Sequence, residues 1–254
     1  MNNKNDLIAY KPWDLNTRIF HWLNVICVTG LMTVGTVILN YKLLGVDTDG
    51  KILLKTVHVY IGYIFVINLT WRFVWGFIGG KYSRWKMILP LGKDYVSSLR
   101  KYISGVKSGK PPAYLGHNPV ARLMVTLLFL LLGTQAITGL TLAGTDVYMP
   151  PFGSQVIEYI AAVDENQNRL GEIRAGYKDN IDEKAYERMR TFRKPVVTIH
   201  YTVFFILLTA ILLHILGVIF TEVKEKNAII SAMITGKKYF NSKPVDIDEE
   251  TTKS

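Results

Sequence analysis

The chain is poor in the residues that staple or anchor a fold covalently. Among 254 residues there is one cysteine, Cys27. A lone thiol forms no intrachain disulfide, and no Cys-x-x-Cys-His motif exists for covalent attachment of a porphyrin. Histidine is nearly as scarce, with five in all. Acidic residues number 20 against 30 Lys and Arg, giving a formal net charge of +10. That excess does not read as a nucleic-acid surface, because no basic run is interleaved with aromatics outside the apolar blocks. The chain also lacks internal repeats and low-complexity tracts.

Charge itself is missing from four long stretches, residues 19–39, 57–78, 123–142 and 195–220, in which Arg72 is the only formal charge. Apolar runs of about 18 residues or more read as membrane spans. The expected fold is therefore all-α: an integral membrane four-helix bundle, one membrane domain over residues 1–254, with the lipid bilayer as its surroundings. The residues before the first span carry Lys4, Asp6, Lys11, Asp14 and Arg18, and no Ala-x-Ala cleavage pattern follows them. They read as a retained cytoplasmic lead-in instead of a signal peptide.

The distribution of charge sets the expected orientation. Residues 79–119 hold eight Lys or Arg against one acid, Asp94, whereas residues 143–194 hold eight basic and nine acidic residues. Positive charge concentrates on the cytoplasmic side of membrane proteins. The 79–119 loop is thus expected inside, with both termini, and Lys224 and Lys226 after the fourth span agree. Helical spacing predicts surface helices over residues 94–106 and 227–240. The long loop at 143–194 carries MPPFG at 149–153, a short helix around 155–163 and a charged helix around 182–190, and is expected to form an external cap.

Four of the five histidines fall in or beside these spans. His200 and His214 are fourteen residues apart on one span, about 21 Å along a helix and on nearly the same face. An ionisable ring in hydrocarbon marks a functional site by default. With the orientation above, His58 and His200 lie near the external side and His21 and His214 near the cytoplasmic side, which makes two pairs. A single zinc or copper ion would call for three or four convergent ligands. Two separated pairs on neighbouring helices fit two bis-histidine haems better, held without covalent attachment. Gly133, Thr138, Gly139 and Gly144 on the third span allow close approach of a helix or a flat macrocycle. With both axial positions of the iron filled by histidine, the chemistry is outer-sphere electron transfer. Arg18 and Arg72, near the ends of ligand-bearing spans, are candidates to contact haem propionates. Lys55 reads as snorkelling to lipid headgroups.

The motifs resemble the bacterial cytochrome b-561 family, which includes the b-type cytochrome subunits of membrane nickel-iron hydrogenases. WDLNTRIFHW at residues 13–22 is similar to the family's first-span signature, with His21 as ligand. KTVHVYIGY at 55–63 and WRFVWGFIG at 71–79 resemble the second, with His58 as ligand. LGHNPVARLMV at 115–125, the His200 and His214 pair and AMITGKK at 232–238 complete the order. The resemblance covers most of the chain and implies two non-covalent haems b, electron exchange with a membrane quinone, and residence in the bacterial inner membrane. His117 in the GHNP segment is the histidine left unpaired. It is expected at the cytoplasmic mouth, contacting a quinone or a propionate, although Asn118 and Pro119 also suit an ordinary helix-start turn.

The long 143–194 loop departs from compact members of the family. It is expected to dock an external redox protein, a c-type cytochrome or a periplasmic oxidoreductase subunit, through charge complementarity. The functional expectation is a membrane di-haem cytochrome passing electrons between that partner and quinone. Two alternatives stand beside it: a stand-alone superoxide:quinone oxidoreductase, and a metal transporter or membrane anchor that uses the histidines as a metal path.

Overall fold

The computed structural model describes residues 7–164, 168–225 and 227–247. Lys4, Asp6 and Lys226, which entered the charge argument, lie outside them. In chain order the elements are strand β1 (Ile8–Tyr10), helices α1 (Leu15–Leu39) and α2 (Thr48–Ile78), a 3-10 turn at Lys81–Ser83, α3 (Trp85–Ile88), α4 (Tyr95–Lys107), α5 (Pro119–Val147), α6 (Gly153–Ile160), α7 (Glu183–Glu225) and α8 (Ile229–Thr235), and strand β2 (Lys238–Phe240). Among the described residues the fold is all-α apart from a two-stranded antiparallel ribbon, in which Ile8 faces Phe240 and Tyr10 faces Lys238.

Helices α1, α2, α5 and α7 are long and apolar enough to cross a membrane. All four extend past the uncharged runs, and their capping residues explain why. Asp14 accepts the Thr17 amide at 2.7 Å, Asp47 the Gly50 amide at 2.8 Å, Asn118 the Ala121 amide at 2.8 Å and Asp182 the Ala185 amide at 2.7 Å. Each cap satisfies an amide that the first helical turn would otherwise leave open. Pro119 occupies the first position of α5, where its missing N–H is no loss. Helix α7 begins at Glu183, twelve residues before the uncharged run of 195–220. Pro195 lies inside α7, removing one rung of the ladder without ending the helix, and the charged 182–190 segment is its first turns. The expected helix over 227–240 is corrected, to short α8 followed by β2. Gly236 ends α8 at φ +81°, and an added Cβ there would meet the Trp13 carbonyl at 2.9 Å.

Few residues of the four long helices are buried within the chain, and Ile26, Ile67, Leu130, Ile137 and Leu216 point outward. Such a surface belongs in hydrocarbon. Hydroxyls on these helices turn back to carbonyls one turn earlier, as Thr33, Thr126 and Thr145 do, which pairs those donors within their own helices.

Contacts divide the chain into two compact units, and each long helix contributes a segment to both. The first comprises the chain up to Trp22, Leu69–Leu130 and the chain from Leu208 onward; the second comprises Leu23–Asn68 and Leu131–Leu207. The first unit is centred on Trp13, Tyr82, Leu115, Ala232 and Phe240. The second carries a small core of Ile160, Ile173 and Met189, against which α6 and the loop pack. Bridges Ala161–Ile181 and Val163–Arg169 order that loop.

Candidate functional site

In the second unit, His58 on α2 and His200 on α7 face one another with ring centres 6.4 Å apart and planes at 72°. They line a cavity with about 670 Å³ of free space in and at its mouth, whose other walls are mostly apolar and include Leu31, Phe65, Leu132 and Phe204. A glycine abuts each ring. A Cβ on Gly35 of α1 would meet His58 Cε1 at 3.4 Å, and one on Gly139 of α5 would meet His200 Cε1 at 3.5 Å. Any side chain longer than alanine at these positions competes with an imidazole for space.

The tautomer of His200 follows from its surroundings. The Thr138 hydroxyl donates its single proton to the Thr134 carbonyl at 2.7 Å. At its 2.8 Å contact with His200 Nδ1 the hydroxyl oxygen therefore accepts, so Nδ1 carries the proton and Nε2 keeps a free lone pair. Gln135 also donates to the His200 carbonyl at 3.1 Å. His58 Nδ1 is buried without a partner. This donor set fits a metal held between the two rings: metal–nitrogen bonds of about 2 Å on each side put the ring centres about 6 Å apart.

In the first unit, His21 packs edge-on against Trp22 with centres 5.4 Å apart, and its Nδ1 is buried without a partner. His214 lies within electrostatic range of both His21 and His117. His117 sits against Trp13, ring centres 4.8 Å apart, and neither His117 Nδ1 nor Trp13 Nε1 has a partner although both atoms are buried. Burial, reinforced by the cations Lys238 and Arg72, pushes His117 down to about 3, so it is a neutral imidazole at physiological pH. Its loop is clamped by the C-terminal segment. Asp246 accepts the Leu115 and Gly116 amides at 2.7 and 2.8 Å, and Lys238 donates to the Gly116 carbonyl at 3.1 Å. Burial lowers Lys238 to about 8. Beside it Tyr102 donates to Glu225 at 2.6 Å while accepting from Asn118 at 2.8 Å.

Arg18 and Arg72 belong to the same unit. Arg18 donates to the Ile234 carbonyl, and its Nε is buried without a partner. Arg72 is 3% exposed, donates through Nη2 to the Ser83 carbonyl at 2.9 Å and is boxed by the rings of Phe20, Trp85 and Phe129. Its Nη1 is buried without a partner. Lys55 lies in the second unit, and its expected reach to headgroups is corrected. It is ion-paired with Asp146, which also accepts from Arg193 at 2.9 Å. The sequence carried no sign of this triad, since its members come from α2, α5 and α7. Among the described residues, no group of three or more His, Cys, Asp or Glu converges as a metal-ion site.

The sequence pattern of the family described as prokaryotic cytochrome b561 matches residues 12–236. The chain is similar to the "Probable Ni/Fe-hydrogenase 1 B-type cytochrome subunit" of Escherichia coli (strain K12), 30% identical over 153 residues, or 56% of this chain and 64% of that protein. It thus spans just under two thirds of that relative's length. It is also similar to the "Probable Ni/Fe-hydrogenase B-type cytochrome subunit" of Bradyrhizobium diazoefficiens, 24% identical over 238 residues, covering 90% of this chain and 85% of the relative. The corresponding protein of Cupriavidus necator is 21% identical over 238 residues, 90% of this chain and 86% of that one. With a match reaching from the first helix through the last, the chain belongs to the prokaryotic cytochrome b561 family.

Proposed function

We propose that this chain is a membrane di-haem cytochrome b that passes electrons between a redox partner outside the bilayer and membrane quinone. The observation that carries this reading is the His58–His200 pair, 6.4 Å apart across an apolar cavity, with the His200 Nε2 lone pair freed by Thr138. His58 and His200 bind one haem b in the second unit, and His21 and His214 bind the other in the first. When bound, each haem would supply a one-electron iron couple. Gly35 and Gly139 leave room for the imidazoles, and the apolar walls exclude water. Arg72 offers its free Nη1, and Arg18 its free Nε, to the propionates of the haem at His21 and His214. His117 and Trp13 present two unpartnered nitrogens to a quinone carbonyl, with His117 neutral and able to donate or accept.

The β1–β2 ribbon draws both terminal segments to one side, which supports an even number of crossings with both ends in the cytoplasm of a bacterial inner membrane. The relatives' description as Ni/Fe-hydrogenase cytochrome subunits favours a nickel-iron hydrogenase as the external partner over a c-type cytochrome, docked by residues 143–194. Co-purification of hydrogenase subunits with the full chain, lost on replacing residues 161–180 by a short linker, tests that; equal recovery removes it. A second reading, reduction by superoxide, draws on the cations Lys51, Lys55 and Arg193 around one cavity of the second unit. It predicts a reduction rate that falls steeply with ionic strength.

The direct test is haem content. A pyridine haemochrome assay on purified protein is expected to give two haems b per chain, with a reduced-minus-oxidised spectrum of low-spin type. One haem, or a metal without porphyrin, refutes the proposal.

A further inference from the structure

The second unit holds another cavity, with about 630 Å³ of free space in and at its mouth, lined by Tyr41, Lys51, Lys55, Asp146, Tyr148 and Arg193 among others. Lys55 and Arg193 both bind Asp146, and Lys51 lies over the Tyr41 ring at 3.7 Å. Two further carboxylates stand at the start of α2, outside the lining. Asp47 caps Gly50, and Asp49 accepts from the Tyr177 hydroxyl at 2.7 Å. The lining itself thus sets three cations against one carboxylate, a net positive face in a membrane protein, where buried charge is costly without a partner.

The cluster sits in register with the histidine pair. Lys55 precedes His58 by one turn of α2, and Arg193 precedes His200 by two turns of α7 on the same face. Asp146 follows Ala143, which lines the histidine cavity, by one turn of α5. Arg193 spends only Nη1 on Asp146 and the Thr145 carbonyl, so Nη2 and Nε remain for a planar anion.

We infer that this cavity seats the two propionates of the haem bound by His58 and His200. A haem carries two carboxylates on two-methylene arms, which suit the net positive lining of Lys51, Lys55 and Arg193, and one helical turn of about 5.4 Å is the span such an arm bridges. Lys51, Lys55 and Arg193 thereby become binding residues for that haem, and Asp146 the positioning residue that holds Lys55 and Arg193 together. The inference rests on the haem reading above. Carboxylate recognition has one other source, a free external anion such as inorganic phosphate.

Haem loading separates these. The full chain carrying His214→Ala, so that only the His58–His200 site loads, is depleted of haem and titrated with haem or with its dimethyl ester, following the Soret band. Haem is expected to bind at least tenfold tighter than the ester, and Lys51→Gln and Lys55→Gln are each expected to cut that preference at least threefold. Lys51→Gln leaves the Asp146 ion pairs intact, so its result does not depend on tolerance of a broken triad. An unchanged haem-to-ester ratio in both variants overturns the inference. So does a spectral or potential shift on adding inorganic phosphate to the loaded protein at constant ionic strength, which would assign the cluster to a free anion. Failure of both haem and ester to load defeats the ligand assignment itself.

Discussion

Replacing Thr138 with valine keeps the side chain's volume and removes its oxygen. The His200 Nδ1 proton then loses its acceptor at 2.8 Å on a ring that lines a mostly apolar cavity. A buried donor left unsatisfied costs about 1–3 kcal/mol, and since 1.4 kcal/mol is about tenfold, haem retention at the His58–His200 site should weaken about 5- to 150-fold. That range brackets the 10- to 100-fold loss typical when a partner behind a metal-bound histidine is removed. The midpoint potential should rise as well, because an imidazole without an acceptor on Nδ1 is a poorer donor to the oxidised iron. Transfer of haem to apomyoglobin, followed with spectroelectrochemical titration, measures both quantities. The haem at His21 and His214 serves as the internal control, and Thr138→Ser, which restores an acceptor, should recover most of the loss. Equal effects on both haems, or none on either, would refute the tautomer argument.

Gly139→Ala should keep both haems, because its Cβ meets His200 Cε1 at an ordinary 3.5 Å; Gly139→Phe should lose the neighbouring haem alone, as read by haemochrome stoichiometry. Arg72→Gln should lower the potential of the haem at His21 and His214, since it withdraws a buried cation beside it, and leave the other potential unchanged in the same titration. His117 is lowered from 6.5 to about 3, so the unfolded chain binds the extra proton and stability falls as pH drops from about 6.5 towards about 3, by up to about 1.4 kcal/mol per pH unit. Melting curves in detergent between pH 7 and 5 should therefore flatten in His117→Gln, which should also keep both haems while slowing quinone reduction.

The four crossings were legible because a bilayer demands runs without charge, and such runs need no tertiary information to find. Their ends were not legible in the same way. Asp47 and Asp182 begin helices in polar sequence, several residues before hydropathy rises, whereas the Asn118–Pro119 start of α5 was legible as a turn; Pro195 looked like a boundary only because a proline in isolation breaks helices. The proximity of His58 to His200 follows from the depth and direction of two spans, which sequence position supplies. The role of Thr138 does not, since its hydroxyl is committed to Thr134 in a way only coordinates reveal. Lys55 read as a headgroup contact because its partner, Asp146, stands 91 positions away on another helix. The β1–β2 ribbon was invisible for the same reason, being two three-residue strands from opposite ends of the chain.

The account rests most heavily on each histidine pair holding its own haem. A potentiometric titration of the full chain, repeated on His200→Ala and His214→Ala, tests this most directly. Two one-electron components are expected in the unaltered protein, with each variant losing a different one and retaining the other. Loss of both components from either single substitution in a protein that still folds, or one component throughout, would contradict it.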